Sequence, residues 1–238
     1  MPLKNKRLND SLVYLILDKT ACGTKNIKRV LKKAIQGGVD LVQYRDKYSE
    51  TRTVIKEARP LLEICKLHRL PFIINDRLDV AVTLNADGLH IGQSDMPVNT
   101  ARKILGQGKL IGLSCHTVSQ VRNAQKNDVD YLGFGPVFKT ATKPKSEPQG
   151  AETLQRALKI SRFPVFAIGG ITEKRISQLT SGKGKIRVAC IREICLARDP
   201  KNAVQKLKIS LKLLNDAKAM EDSLSPQSGT FWQKSARN

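Results

Sequence analysis

Short apolar runs alternate along the chain with longer segments whose apolar and charged residues share a helical period. The runs are Leu12–Leu17 (LVYLIL), Val39–Gln43 (VDLVQ), Phe72–Asn75 (FIIN), Gly88–Ile91 (GLHI), Leu110–Ser114 (LIGLS), Tyr131–Phe134 (YLGF), Val165–Ile168 (VFAI) and Arg187–Ile191 (RVACI). Each predicts a strand, eight in all. Between them lie helical patterns at Lys25–Gln36, Arg52–Leu67, Asp79–Leu84, Asn99–Leu105, Ser119–Asn127, Ala151–Ile160, Glu173–Thr180 and Pro200–Asp216. In the first, Ile27, Val30, Leu31 and Ala34 fall on one face and Lys28, Lys32 and Lys33 on the other, and Gly37-Gly38 marks its stop. Pro60 is a candidate break in the second.

Strand–helix repetition at this pitch predicts parallel pairing. Eight units in 238 residues fit one α/β domain, a single (β/α)8 barrel, which typically takes roughly 250 residues. An open doubly wound sheet is the alternative. The expected boundaries are an N-terminal extension at 1–10, the barrel at 11–214, and a polar, mobile C-terminal extension at 215–238 holding the lone Trp232. Only 5% of residues are aromatic, so the core must be built from Val, Ile and Leu, as buried parallel strands are.

Charge changes the picture next. The formal net charge of +21 favours anionic ligands of some kind. Finger spacings, aromatic RNA-binding signatures and basic helix-turn-helix patterns are missing from the sequence, and the cations are spread over solvated helix faces, so nucleic acid is not the expected partner. The five cysteines are odd in number and lack a CxxC spacing, which argues against a zinc site or a disulfide framework and for a reducing cytoplasm. No run approaches the ~20 apolar residues of a membrane helix. The basic Lys4–Arg7 followed by Leu12–Leu17 is too short and too soon charged for a signal peptide.

In a parallel barrel the chemistry lies just past the strand ends. After the second run, Gln43, Arg45 and Lys47 alternate onto one side and make an anion site. Asn75-Asp76 follows the third run and Asp95 the fourth. Two carboxylates on adjacent strand ends can share Mg2+, which takes one or two carboxylates plus phosphate oxygens and water. Asp76 could instead cap the next helix. Ser114 and His116 follow the fifth run. Ser114 or Thr117 could be a helix cap, and His116 is a candidate acid or base, or a structural histidine. The long loop after the sixth run carries Lys139, Thr140, Ala141, Thr142 and Lys143, and Gly169-Gly170 after the seventh suits a phosphate cradle. This mouth fits an enzyme of phosphorylated substrates without naming the reaction.

Six pieces name it by likeness: LVQYRDK (41–47), INDRLDVA (74–81), ADGLHIGQSDMP (86–97), IGLSCHT (111–117), YLGFGPVFKTATKP (131–144) and FAIGGI (166–171). In order and spacing they resemble the thiamine phosphate synthase family over about residues 11–210. The resemblance implies a Mg2+-dependent transferase that condenses 4-amino-2-methyl-5-(diphosphooxymethyl)pyrimidine with thiazole phosphate, giving thiamine phosphate and diphosphate. It places the pyrimidine diphosphate on Gln43, Tyr44, Arg45, Asp46, Lys47, Asn75, Ser114 and Lys143, with Arg45, Lys47, Ser114 and Lys143 in the catalytic role. Mg2+ falls to Asp76 and Asp95, and the thiazole phosphate to Thr140, Ala141, Thr142, Gly170, Ile191 and Arg192.

The chain departs from the family pattern at its eighth strand. There Cys190-Ile191-Arg192-Glu193 stands where a small-Ser-small segment is usual, and Ser181–Arg187 (SGKGKIR) replaces the usual A-G-A-D-G-V. Arg192 is expected to bind the phosphate by charge in place of the hydroxyl; the alternative is that Arg192 and Glu193 pair and block the site. The related thiazole tautomerases are similar around Ser114–Thr117, with His116 at their catalytic histidine, but typically lack the paired aspartates and the T-x-T-K loop, both present here. A non-catalytic paralogue binding a thiamine-related ligand or RNA is the third alternative. Homo-oligomerisation is left open.

Overall fold

The computed structural model describes residues 8–142, 144, 146–179 and 184–224. Eight parallel strands close into a ring in chain order, β1 to β8, with β8 back beside β1. They are β1 (Val13–Asp18), β2 (Leu41–Arg45), β3 (Phe72–Asn75), β4 (Gly88–Ile91), β5 (Leu110–Cys115), β6 (Tyr131–Phe134), β7 (Val165–Ile168) and β8 (Arg187–Cys190). The helices are α1 (Lys19–Cys22), α2 (Ile27–Gln36), α3 (Thr51–Leu67), α4 (Leu78–Leu84), α5 (Val98–Leu105), α6 (Val118–Ala124), α7 (Gly150–Ile160), α8 (Arg192–Cys195) and α9 (Pro200–Leu224), with a 3-10 helix at Glu173–Leu179. The closed ring excludes the open sheet.

Closure explains why the strands are apolar on both sides. Val13, Leu15 and Leu17 pack outward beneath the helices. Tyr14 and Ile16, their alternates, point inward and meet Tyr131, Phe166, Leu41, Ile73 and Leu110 in a second core, against which Leu8 is buried. Burial of both faces is what produces runs without polar alternation.

Carboxylates set the floor of the ring. Asp40, just before β2, accepts from the amides of Leu12 and Val13 at 2.9 Å each. Asp87, before β4, accepts from Phe72 at 2.9 Å, and Asp130, before β6, from Ile111 at 2.7 Å. Each even strand thus satisfies leading amide hydrogens of the odd strand preceding it. The eighth unit breaks the rule. Ile186 holds the corresponding position, and its own amide donates to Asn215 Oδ1 on α9 at 2.7 Å.

Several elements differ from the sequence expectation. β2 begins later than expected because the Val39 amide closes α2 by donating to the Ala34 carbonyl. Pro60 does not break α3, which runs unbroken through it. The segment from Glu173 is a 3-10 helix rather than an α-helix; Thr180 lies outside the described residues. The final helix passes the expected boundary at 214 and reaches Leu224, because Asn215 is still engaged with the barrel wall. Trp232 lies outside the described residues. Among the described residues, no helix is long and apolar enough to cross a membrane.

Candidate active site

A cavity of about 1130 Å³ opens at the carboxyl ends of the strands. Gln43, Arg45 and Lys47 all border it, as the strand alternation predicts. Arg45 is steered by Asp18, a nearly buried carboxylate at the end of β1 that forms an ion pair with Arg45 Nη1 and also accepts from the Ala21 amide at the start of α1 at 2.7 Å. A guanidinium held this way keeps its remaining donors aimed at the mouth.

Tyr44 and Asp46 stand elsewhere. Tyr44 alternates to the helix side, where its hydroxyl donates to Glu57 on α3 at 2.7 Å. Asp46 builds the turn: its carboxylate accepts from the amides of Tyr48 and Ser49 at 3.1 Å each and pairs with Lys19 at 3.2 Å. Neither borders the cavity, so the structure corrects the reading that gave both a ligand contact.

Asn75, Asp76 and Asp95 border the same cavity. Asp76 does not cap α4, whose N-terminal cap position is Arg77. Its backbone is left-handed, φ 60°, a conformation that Asp tolerates better than most residues. The turn sends the Asp76 carboxylate toward Lys47 at 3.5 Å and toward Asp95. Burial raises the Asp76 carboxyl above the usual carboxylate range; the adjoining Asp95 carboxyl adds to this and Lys47 opposes it. Asp95 is itself held by the Gly92 amide at 2.6 Å. A divalent cation between the two carboxylates would offset the burial and repulsion that raise Asp76. Among the described residues no cluster of three metal-binding side chains occurs, so the pair suits an ion that completes its shell with substrate oxygens and water.

Ser114 borders the cavity and its Oγ lies 2.9 Å from His90 Nε2. Thr117, not Ser114, caps α6, accepting from the Gln120 amide. His116 also faces the cavity, with Nδ1 against the Gly135 carbonyl. Thr140, Ala141 and Thr142 line the far wall; Lys143 lies outside the described residues. Gly170, at φ +63°, packs so closely that a Cβ there would sit 2.6 Å from the Lys139 carbonyl oxygen, so only glycine lets the cradle backbone approach. Ile191 and Arg192 complete that wall. Glu193 does not pair with Arg192: its Oε1 accepts from the Glu173 amide at 3.0 Å.

The structure adds residues that the sequence reading did not single out. Lys174 and Arg175 project from the 3-10 helix into the mouth; Arg175 donates to the Gly170 carbonyl at 3.0 Å and lies over the Phe138 ring. Their signal was position, since they open the helical segment that follows the Gly169-Gly170 turn. His90 is a polar residue at an inward position of an apolar strand, which marks it for use.

Comparison with known proteins now decides the family. A model of the family described as thiamine monophosphate synthase matches residues 13–194, β1 through the third residue of α8. The chain belongs to the thiamine monophosphate synthase family. It is 40% identical to the thiamine-phosphate synthase of Vibrio campbellii over 84% of this chain and 98% of the relative. It is equally 40% identical to that of a Synechococcus species, over 86% of this chain but 58% of that longer relative. Thiamine phosphate pyrophosphorylase from Pyrococcus furiosus superposes with a TM-score of 0.78 at 28% identity, covering 87% of this chain and 98% of that one. 3-keto-L-gulonate-6-phosphate decarboxylase from Vibrio cholerae, at TM-score 0.61 and 11% identity, shares the barrel alone.

Proposed function

We propose that this thiamine monophosphate synthase family member joins the pyrimidine diphosphate to thiazole phosphate, releasing diphosphate. The observation that carries the reading is convergence. Gln43, Arg45, Lys47, Asn75, Asp76, Asp95 and Ser114 border one cavity together with Thr140, Thr142, Gly170 and Arg192. Pockets for a single small ligand run to roughly 300–1,000 Å³, and this one, at about 1130 Å³, exceeds that range.

Asp76 and Asp95 would hold Mg2+, which when bound supplies charge neutralisation to the diphosphate. Arg45 and Lys47, and Lys143 by family likeness, donate to the diphosphate oxygens and stabilise the negative charge that grows as the carbon–oxygen bond breaks. Gln43 and Ser114 hold the pyrimidine ring, whose amino group shares the positive charge left on the methylene carbon. The thiazole nitrogen lone pair then forms the new bond to that carbon. Thr140, Thr142, Gly170, Ile191 and Arg192 seat the thiazole phosphate so that this nitrogen faces the reacting carbon.

The net charge of +21 is assigned to these anionic substrates rather than to nucleic acid. A cytoplasmic setting belongs to the same proposal, in keeping with five free, buried cysteines. The test incubates the protein with both substrates and Mg2+ and assays thiamine phosphate. Metal-dependent product is expected; its absence with both substrates bound overturns the reading.

A further inference from the structure

Beneath the cavity, four of the polar side chains enclosed by the barrel form one hydrogen-bonded line that ends at Ser114. Gln43 Nε2 donates to the Tyr14 hydroxyl at 2.5 Å. The Tyr14 and Tyr131 hydroxyls lie 2.8 Å apart. Tyr131 reaches His90 Nδ1 at 3.2 Å, and His90 Nε2 reaches Ser114 Oγ at 2.9 Å. Gln43, Tyr14 and Tyr131 are all but inaccessible and His90 is 8% exposed. The two tyrosines pack edge-on against each other and against Phe166. Gly112 makes the room, since a Cβ there would lie 2.2 Å from Tyr131 Cζ and 2.4 Å from His90 Nδ1.

Each hydroxyl in the line has one hydrogen to give, so the links constrain one another. Tyr14 accepts from Gln43, so its hydrogen goes to Tyr131. Tyr131, having accepted, gives its hydrogen to His90 Nδ1. His90 therefore carries its proton on Nε2 and donates it to Ser114 Oγ. Ser114 is left with its own hydrogen to give, and Gln43 with its carbonyl oxygen to accept; both residues border the cavity. Burial holds both phenols well above their ordinary range, so they stay protonated at any pH where the enzyme works. Turning the Gln43 amide over would reverse every link.

The geometry points to Tyr14, Tyr131 and His90 as positioning residues that fix the hydrogen-bond polarity of the pyrimidine pocket: an acceptor at Gln43 and a donor at Ser114. An aminopyrimidine answers both. Its exocyclic amino group is a donor for Gln43, and a ring nitrogen is an acceptor for Ser114. An oxo counterpart places a carbonyl where the amino group belongs and leaves two acceptors face to face, which a site of fixed polarity rejects. This assignment of a ligand rests on the proposed function; the polarity itself does not.

The first measurement is therefore nitrogen-15 NMR of the ligand-free full chain at neutral pH. The His90 ring is expected neutral, with Nε2 protonated and Nδ1 bare. A proton on Nδ1, or an imidazolium, overturns the inference. The second measurement compares the aminopyrimidine diphosphate with its oxo counterpart. Tyr131→Phe removes the link that orients His90. Discrimination between the two compounds is expected to fall about tenfold, the scale of one oriented hydrogen bond, through KM for the pyrimidine with kcat little changed. His90→Gln, which can accept from Tyr131 and donate to Ser114, is expected to keep discrimination that His90→Leu loses. Equal losses in Gln and Leu variants of unchanged Tm, or full discrimination in Tyr131→Phe, overturn the inference. If the NMR result holds and neither pyrimidine binds, the polarity stands and the functional reading falls.

Discussion

The two walls of the cavity are built differently. On the β2–β5 wall the charged groups and Ser114 are answered by another side chain or amide: Arg45 by Asp18, Lys47 by Asp76, Asp95 by Gly92 and Ser114 by His90. On the β7–β8 wall the cradle is backbone, with Gly169 and Gly170 at φ +97° and +63°; Arg175 donates to the Gly170 carbonyl, while Arg192 at the wall's other edge is exposed. The first wall is preorganised, as charge stabilisation during bond cleavage requires. In the proposed reaction the second would seat a phosphate that does not change, and there an adaptable cation suffices. The departure from the family pattern at Arg192 thus falls on the wall that can absorb it.

Substitutions ranked by effect would break or sharpen this contrast. Asp76→Ala and Asp95→Ala are each expected to lower turnover by about 10³-fold or more, on the scale of losing a preorganised charge-stabilising group; titration of Mg2+ against initial rate checks it, and undiminished rates defeat the metal assignment. Arg45→Ala is expected to cost about 10²-fold in kcat/KM with kcat falling at saturating substrate, since its partner is the leaving group. On the opposite wall, Arg192→Ser is expected to raise KM for thiazole phosphate less than tenfold and leave KM for the pyrimidine unchanged. A large gain in affinity would instead show that Arg192 obstructs the cradle. Lys174→Ala should change rates by no more than about two- to threefold, an effect that vanishes as salt is raised. If the order of these effects were inverted, preorganisation would not be what separates the walls.

The same contrast explains what the sequence revealed. Eight strands were legible because a closed barrel buries both strand faces and so writes unbroken apolar runs. Gln43, Arg45 and Lys47 were legible because strand alternation is strict. The same alternation puts Tyr44 out of phase, yet it was carried into the site with its neighbours because a whole segment was transferred by resemblance. Asp46 was misassigned for the same reason, although an Asp accepting from the amides two and three residues on is ordinary turn chemistry. The short helices α1 and α8 left no periodic signal, being too brief for one. His90 was hidden because its partners, Tyr131 and Ser114, lie on strands far along the chain. The end of the barrel was placed too early because the side chain that answers Ile186 comes from the helix beyond it.

That last contact has a consequence for how the protein is made. Three seams of the ring are pinned by residues that emerge from the ribosome with the strand next in line, so those staves can lock as synthesis proceeds. The entry to the last strand, at Ile186, is tied instead to Asn215, far down the terminal helix. A nascent chain halted just short of that residue would hold all eight staves in hand, yet leave the Ile186 amide and carbonyl without the side chain that answers them.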